Sequence, residues 1–180
     1  MVRSNLIIAG SNFVFNHIHK NYGELITSKK RLLVIFRGIN TEYFDNSKIT
    51  NEKVKSFKSL VNFDPEKFKI LLPGRLTRWK GHEMFIESLF ILKTKYGKEN
   101  FQAVILGSDQ GRKVYFKKLI SMIDKYNLKN NIFFLQHAKE MPVAYYISDV
   151  VVSSSIEPEA FGRVSVEAQA MRRPILASDH

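Results

Sequence analysis

The sequence contains no cysteine in 180 residues. That absence excludes disulfides, thiolate metal sites and cysteine nucleophiles, and it agrees with a reducing cytoplasm. Long apolar runs are missing too: nothing approaches the roughly 18 residues needed to cross a bilayer. Met1-Val2-Arg3 leads into an apolar stretch of only Leu6 to Ala9, far short of the about 7–15 residues of a signal-peptide core. Low-complexity tracts and internal repeats are absent. Acidic residues are scarce, 17 against 28 Lys and Arg, which leaves a net charge of +11. Such a surplus suits nucleic acid, an anionic membrane surface or a phosphorylated ligand, and by itself selects none of them. What is present is globular: 44% apolar residues, 25% charged residues and 14 Phe to build a core, in a length typical of one ordinary domain.

From Phe68 onward the pattern alternates between short apolar runs and amphipathic stretches. Phe68–Leu72, closed by Pro73-Gly74, reads as a buried strand. A helix follows over about 80–95, with Phe85, Leu89 and Leu92 on one face and Ile86 and Phe90 widening it. Ala103–Leu106 is the second strand, and Phe116, Leu119, Ile120 and Ile123 mark the second helix, ending near Asn127. Ile132–Leu135, Asp149–Val152 and Pro174–Ala177 are further strands, separated by a short helix over 142–147 and another over 162–171. Strand and helix at this spacing predict right-handed βαβ units and a parallel sheet. Continuously apolar strands predict helices on both sheet faces. The fold class is α/β, a doubly wound Rossmann-like sheet.

The first 44 residues follow this rhythm less well. Leu6–Ala9 and Leu33–Phe36 read as strands flanking a helix over 12–22, and the polar segment 45–67 reads as a connector with a weak helical signal at Val54, Phe57 and Val61. A domain boundary is placed near residue 44: 1–44 before it, 45–180 after it.

In open parallel sheets ligands bind beyond the carboxyl ends of the strands. After the first strand of the second region comes Pro73-Gly74-Arg75-Leu76-Thr77-Arg78-Trp79-Lys80-Gly81. Arg75 and Lys80 suit phosphate, one as a bidentate fork and the other as a point charge. They read equally as surface cations beside a turn. Gly107-Ser108-Asp109-Gln110-Gly111-Arg112 reads as a plain βα turn rather than a phosphate loop. His137 reads as a hydrogen-bonded loop residue, with no second ligand spaced for a metal. The densest patch is Ser153 to Glu167. Glu159 lies before the next helix and Glu167 about one turn inside it. Gly162 leaves the first-turn amides uncovered for an anion. Acidic residues are favoured near helix N-termini on electrostatic grounds alone, which accounts for Glu159 but not for Phe161-Gly162 between two carboxylates.

Glu159 and Glu167, with seven residues between them, resemble the E-x7-E motif of glycosyltransferase family 4. Those are retaining, nucleotide-sugar-dependent enzymes of the two-domain GT-B fold. Gly74-Arg75-Leu76 with Lys80-Gly81 is similar to that family's G-R-L-x4-K-G, Ser148-Asp149-Val150 to its S-D-V, and Glu167-Ala168-Gln169-Ala170 to its E-A-x-A. Arg37-Gly38-Ile39-Asn40 followed by Phe44 resembles the N-G-V-D-x3-F segment that joins the two domains. The resemblance implies roles. Arg75 and Lys80 would hold the diphosphate as it leaves, and Glu159 would sit beside the donor sugar. Glu167 would accept from the ribose hydroxyls, with Gly74, Phe161, Gly162, Arg163 and Val164 completing the donor site. No metal or other cofactor is expected. The implied partners are a nucleotide-sugar donor and a glycan or lipid-linked acceptor of the cell envelope. An anionic surface on the cytoplasmic face of the inner membrane and a separate chain carrying the acceptor domain are further candidates; nucleic acid is not expected.

The departures from the family pattern are as specific. Arg172 stands where the family usually has Gly after the E-A-x-A helix. Only the last strands of an acceptor domain fit into residues 1–44, and the sequence stops at His180 before the family's next Gly-Gly turn. The chain therefore reads as a piece of the two-domain enzyme, with unpaired strand edges and a tendency to self-associate. A non-catalytic remnant and a basic module for nucleic acid or membrane are the alternative readings.

Overall fold

A computed structural model describes residues 4–26, 31–61 and 63–179. In chain order the elements are β1 (Leu6–Ala9), α1 (Asn12–Tyr22), β2 (Arg31–Val34), α2 (Asn51–Val61), β3 (Phe68–Pro73), α3 (His82–Thr94), β4 (Phe101–Leu106), α4 (Lys113–Lys125), β5 (Ile132–Leu135), α5 (Met141–Tyr146), β6 (Val150–Ser153), α6 (Arg163–Ala170) and β7 (Ile175–Ala177). β3 to β7 form one parallel sheet in the order β5-β4-β3-β6-β7. The expected α/β class and the five strands of the second region are all present.

The continuous apolar runs of β3 and β4 divide between two faces, as strand pleating requires. Ile70, Leu72, Ala103 and Ile105 meet Phe85, Ile86 and Leu89 of α3 and Leu119 and Ile123 of α4. Leu71, Val104 and Leu106 point the other way, onto Val143, Ala144 and Tyr145 of α5 and Ala168 of α6. Phe57 and Val61 of α2 join this second face. Residues 45–67 are thus more than a connector: Val54, Phe57 and Val61 recur at helical spacing and dock on the core, although the rest of the segment is polar. Phe44 also belongs to this cluster, its ring edge-on to Tyr145 at 6.0 Å.

β1 and β2 pair in parallel with each other, Leu6 opposite Arg31 and Ala9 opposite Val34. Ile7 and Ala9 pack inward on Ile18 of α1, and Ser11 caps that helix by accepting from the Val14 amide at 3.2 Å. β2 begins two residues earlier than its apolar run suggests. Its ladder ends at Val34 because β1 ends at Ala9, and Ile35 and Phe36 continue into the cleft-side segment exposed. Leu6, Ile8 and Leu33 on the outer face are exposed as well, and β7 is an edge of the larger sheet.

Candidate active site at the sheet's switch point

The strand order changes direction at the β3–β6 boundary: β4 and β5 extend one way, β6 and β7 the other. Loops leaving neighbouring strands there diverge and open a crevice. A cleft of about 1020 Å³ occupies it. Gly74, Arg75, Lys80, Glu159, Phe161, Gly162, Arg163, Val164 and Glu167, the whole set singled out in the sequence, line it. Arg37 to Asn40 close one side, and Gly107, Ser108, Gln110 and His137 contribute from the loops after β4 and β5.

Local backbone chemistry brings Lys80 and Glu159 together. The loop after β3 makes a tight turn over Arg78–Lys80 and enters α3 through Gly81 at φ 71°. A Cβ at Gly81 would lie 1.7 Å from the Ser154 carbonyl oxygen, so only glycine permits this approach. Ser154 Oγ donates to the carbonyls of Lys80 at 3.0 Å and Gly81 at 3.2 Å, and the Ile156 amide donates to Trp79 O at 2.8 Å. The loops after β3 and β6 are thereby stitched together. Lys80 Nζ lies 2.5 Å from Glu159 Oε1, which also accepts from Ser155 Oγ at 2.5 Å. The ammonium sits 4.3 Å from the Trp79 ring centroid. Arg75 is exposed and makes no ion pair among the described residues.

Glu167 is held differently. It is buried, and Arg163 grips its Oε1 through Nε at 3.1 Å and Nη2 at 2.7 Å. Oε2 accepts from the Tyr145 hydroxyl at 2.7 Å. Burial, and then the Glu167 charge, push the Tyr145 phenol up, so it stays a donor at any working pH. Gly162 opens α6 at φ 74° with no side-chain cap, so Arg163 and Val164 begin the helix at the cleft, while the Ser165 amide donates to Gly162 O at 3.1 Å.

Tyr145 and Ser155 are the polar groups that pattern reading passes over. Tyr145 sits in a short apolar helix where a single hydroxyl resembles core, and Ser155 is one of three consecutive serines. His137 differs from expectation: it is exposed on the cleft wall with no hydrogen bond among the described residues, because the loop after β5 opens toward the crevice. The Gly107–Arg112 turn does more than connect, since Gly107, Ser108 and Gln110 form cleft wall. No group of three or more His, Asp or Glu able to hold a metal ion occurs among the described residues, nor a helix long and apolar enough to cross a membrane.

A parallel sheet with helices on both faces and a cleft at its switch point defines a Rossmann-like domain of the GT-B type. Residues 54–180 match the family described as Glycosyl transferases group 1, and the chain belongs to that family. It is 32% identical over 124 residues to a D-inositol 3-phosphate glycosyltransferase of Paenarthrobacter aurescens, covering 68% of this chain and 30% of that protein. A crystal structure of a glycosyltransferase from Rickettsia africae superposes with a TM-score of 0.85 at 33% identity, over 98% of this chain and 45% of that one. The Anabaena HepE structure in complex with UDP and glucose shares the fold, with a TM-score of 0.79 at 23% identity, 97% of this chain and 44% of the other. The chain thus spans about a third of the curated relatives it matches: 30% of the first and 37% of the next.

Proposed function

We propose that the chain carries the donor-binding part of a retaining glycosyltransferase, which moves a sugar from a nucleotide-diphosphate sugar to a glycan or lipid-linked acceptor. The observation that carries this reading is the Lys80–Glu159 pair, delivered from opposite sides of the switch point into the cleft that holds Arg75 and Glu167. HepE, of the same fold, binds UDP and glucose.

In this reading Arg75 and Lys80 take the diphosphate. Negative charge grows there as the glycosidic bond breaks, and fixed cations lower the barrier most where charge develops. Loss of one such donor costs about 3 kcal/mol in other enzymes. The open amides of α6 and its dipole add to the same field. The Glu159 carboxylate, already anchored by Lys80 and Ser155, stays beside the sugar to accept from its hydroxyls. Glu167 accepts from the ribose diol. Tyr145 leaves Oε2 one lone pair, and the solvent-exposed Arg163 swings off Oε1 at small cost. Residues 1–44 belong to the acceptor domain and its crossover, and residues 45–180 to the donor domain. An anionic membrane surface meets the +11 charge.

Thermal melts with UDP, GDP and ADP test the reading. One of them raises Tm in a saturable manner, and Arg75→Ala or Glu167→Ala abolishes the rise. Absence of a shift with all three nucleotides overturns it.

A further inference from the structure

A second cleft, sharing no lining residue with the first, is flanked by the loops after β3 and β4. It encloses about 600 Å³ between Thr77 and Arg78, from the loop after β3, and Arg112, Lys113, Tyr115 and Lys118 around the start of α4. Four of these are cations, and no carboxylate is in the lining. Two of the cations have partial partners outside it: Arg78 meets Glu157 at 3.2 Å and Lys118 meets Glu83. Such exposed pairs are weak and exchange readily. Arg112 donates to Asp109 O at 3.3 Å and Gln110 Oε1 at 3.0 Å, neither of which cancels its charge by ion pairing. Lys113 has no ion pair among the described residues.

α4 runs for 13 residues and begins with no side-chain cap and no acidic residue in its first turn. Its first-turn amides and dipole therefore favour an anion, with no side-chain cap among the described residues. An independent observation points to a ligand. Thr77, a wall residue, is only 8% exposed, and its Oγ1 has no hydrogen-bond partner among the described residues. The Tyr115 hydroxyl is also buried without a hydrogen-bond partner among the described residues. Burial, and then the Glu83 charge, push that phenol up to about 12, so it remains a donor at neutral pH. Buried hydroxyls are rarely left unpaired. Two orphaned donors, four cations and an uncapped helix start converge on one cleft.

We propose that this cleft is a second oxyanion site, which takes a phosphate group and is separate from the donor cleft. It does not depend on the glycosyltransferase reading. Its place gives it a consequence all the same. Arg75 and Lys80 face the donor cleft from the loop that sends Thr77 and Arg78 here, and Gln110 borders the donor cleft while Gly111 to Lys113 border this one. A phosphate bridging Thr77 to the start of α4 ties both loops together. The phosphate is that of a small molecule or of a lipid headgroup; Val114, 86% exposed beside the cations, gives the rim an apolar point.

The test is a titration of the full chain with inorganic phosphate at constant ionic strength, read from backbone amides in 1H–15N spectra. It is run in wild type and in the Arg75→Ala/Lys80→Ala double variant, which disables phosphate capture in the donor cleft. Saturable shifts at Lys113, Val114, Tyr115 and Thr77 are expected in both. Thr77→Val and, separately, the surface change Arg112→Gln are expected to weaken binding about tenfold. Shifts confined to the donor cleft, shifts that vanish in the double variant, or non-saturating shifts that chloride reproduces overturn the proposal. A parallel arm measures cosedimentation with phosphatidylglycerol–phosphatidylcholine vesicles. Retention lost in both Thr77→Val and Arg112→Gln identifies a lipid headgroup. Saturable inorganic phosphate without vesicle retention identifies a soluble phosphate, and retention indifferent to both variants, with no phosphate saturation, again overturns the site.

Discussion

The five-stranded sheet has helices on both faces, α3 and α4 against one and α2, α5 and α6 against the other, whereas among the described residues the two-stranded sheet has α1 on one face alone. Its outer face leaves Leu6, Ile8 and Leu33 at 49%, 54% and 45% exposure, in strands as apolar as those of the covered sheet. A strand's sequence states what it prefers to bury, and the surroundings decide whether it does. The cleft sits where the two regions meet: the larger region supplies Arg75, Lys80, Glu159, Arg163 and Glu167, and the smaller region supplies Arg37 to Asn40.

The sharpest break of that comparison is a pair of truncations. Ile105→Ala removes a side chain with 0% exposure from the middle of the covered sheet and is expected to cost about 2–5 kcal/mol in urea unfolding. Equal losses from Ile105→Ala and Ile8→Ala would erase the distinction. Next in size is a pH effect confined to the larger region. His82 is fully buried at the start of α3, and burial pushes its imidazole down to about 4 from 6.5. The unfolded chain then binds the proton first, so stability is full above pH 6.5 and falls as pH drops toward 4. The loss amounts to about 3 kcal/mol at its limit. Urea midpoints taken between neutral and acidic pH should show this slope, and His82→Gln should flatten it.

Smaller again is Tyr145→Phe. It leaves Glu167 buried with one donor fewer, expected to cost about 1–2 kcal/mol and to shrink the Tm rise given by a nucleoside diphosphate. Arg172 sits at φ 53°, the left-handed region that a side chain tolerates poorly. Arg172→Gly should therefore stabilise the chain by about 0.5–1 kcal/mol in the same assay. The least effect belongs to the open sheet: Ile8→Thr, on the exposed face of β1, should change stability by less than about 0.5 kcal/mol while reducing self-association measured by sedimentation.

Much of this was legible in the sequence because the period of the pattern and the punctuation agreed. Ile132–Leu135 and the helix over 12–22 fall where apolar spacing and flanking Asn and Ser put them. Phe161-Gly162 between two glutamates marked the open start of α6, and Gly74 with Arg75 and Lys80 marked the loop after β3. α2 was read as a connector because its helical spacing is carried by few apolar residues in a charged segment, and only the receiving core makes it count. Tyr145 is not legible in the sequence, because a buried donor looks like core until its acceptor, 22 residues away, is brought to it.

The sequence by itself determined the alternation of strands and helices, the apolar content of each strand, and which polar residues follow each one. These are local properties, written in neighbouring side chains and backbone preferences. Packing of distant segments sets the rest: that Lys80 and Glu159, 79 residues apart, share one ion pair, that the Thr77 hydroxyl is buried with no hydrogen-bond partner among the described residues, and that one parallel sheet is covered on both faces while the other keeps an exposed face. Those outcomes depend on which strand lies beside which, and strand order is a property of the packed whole: burial and pairing free energies are settled among distant segments at once.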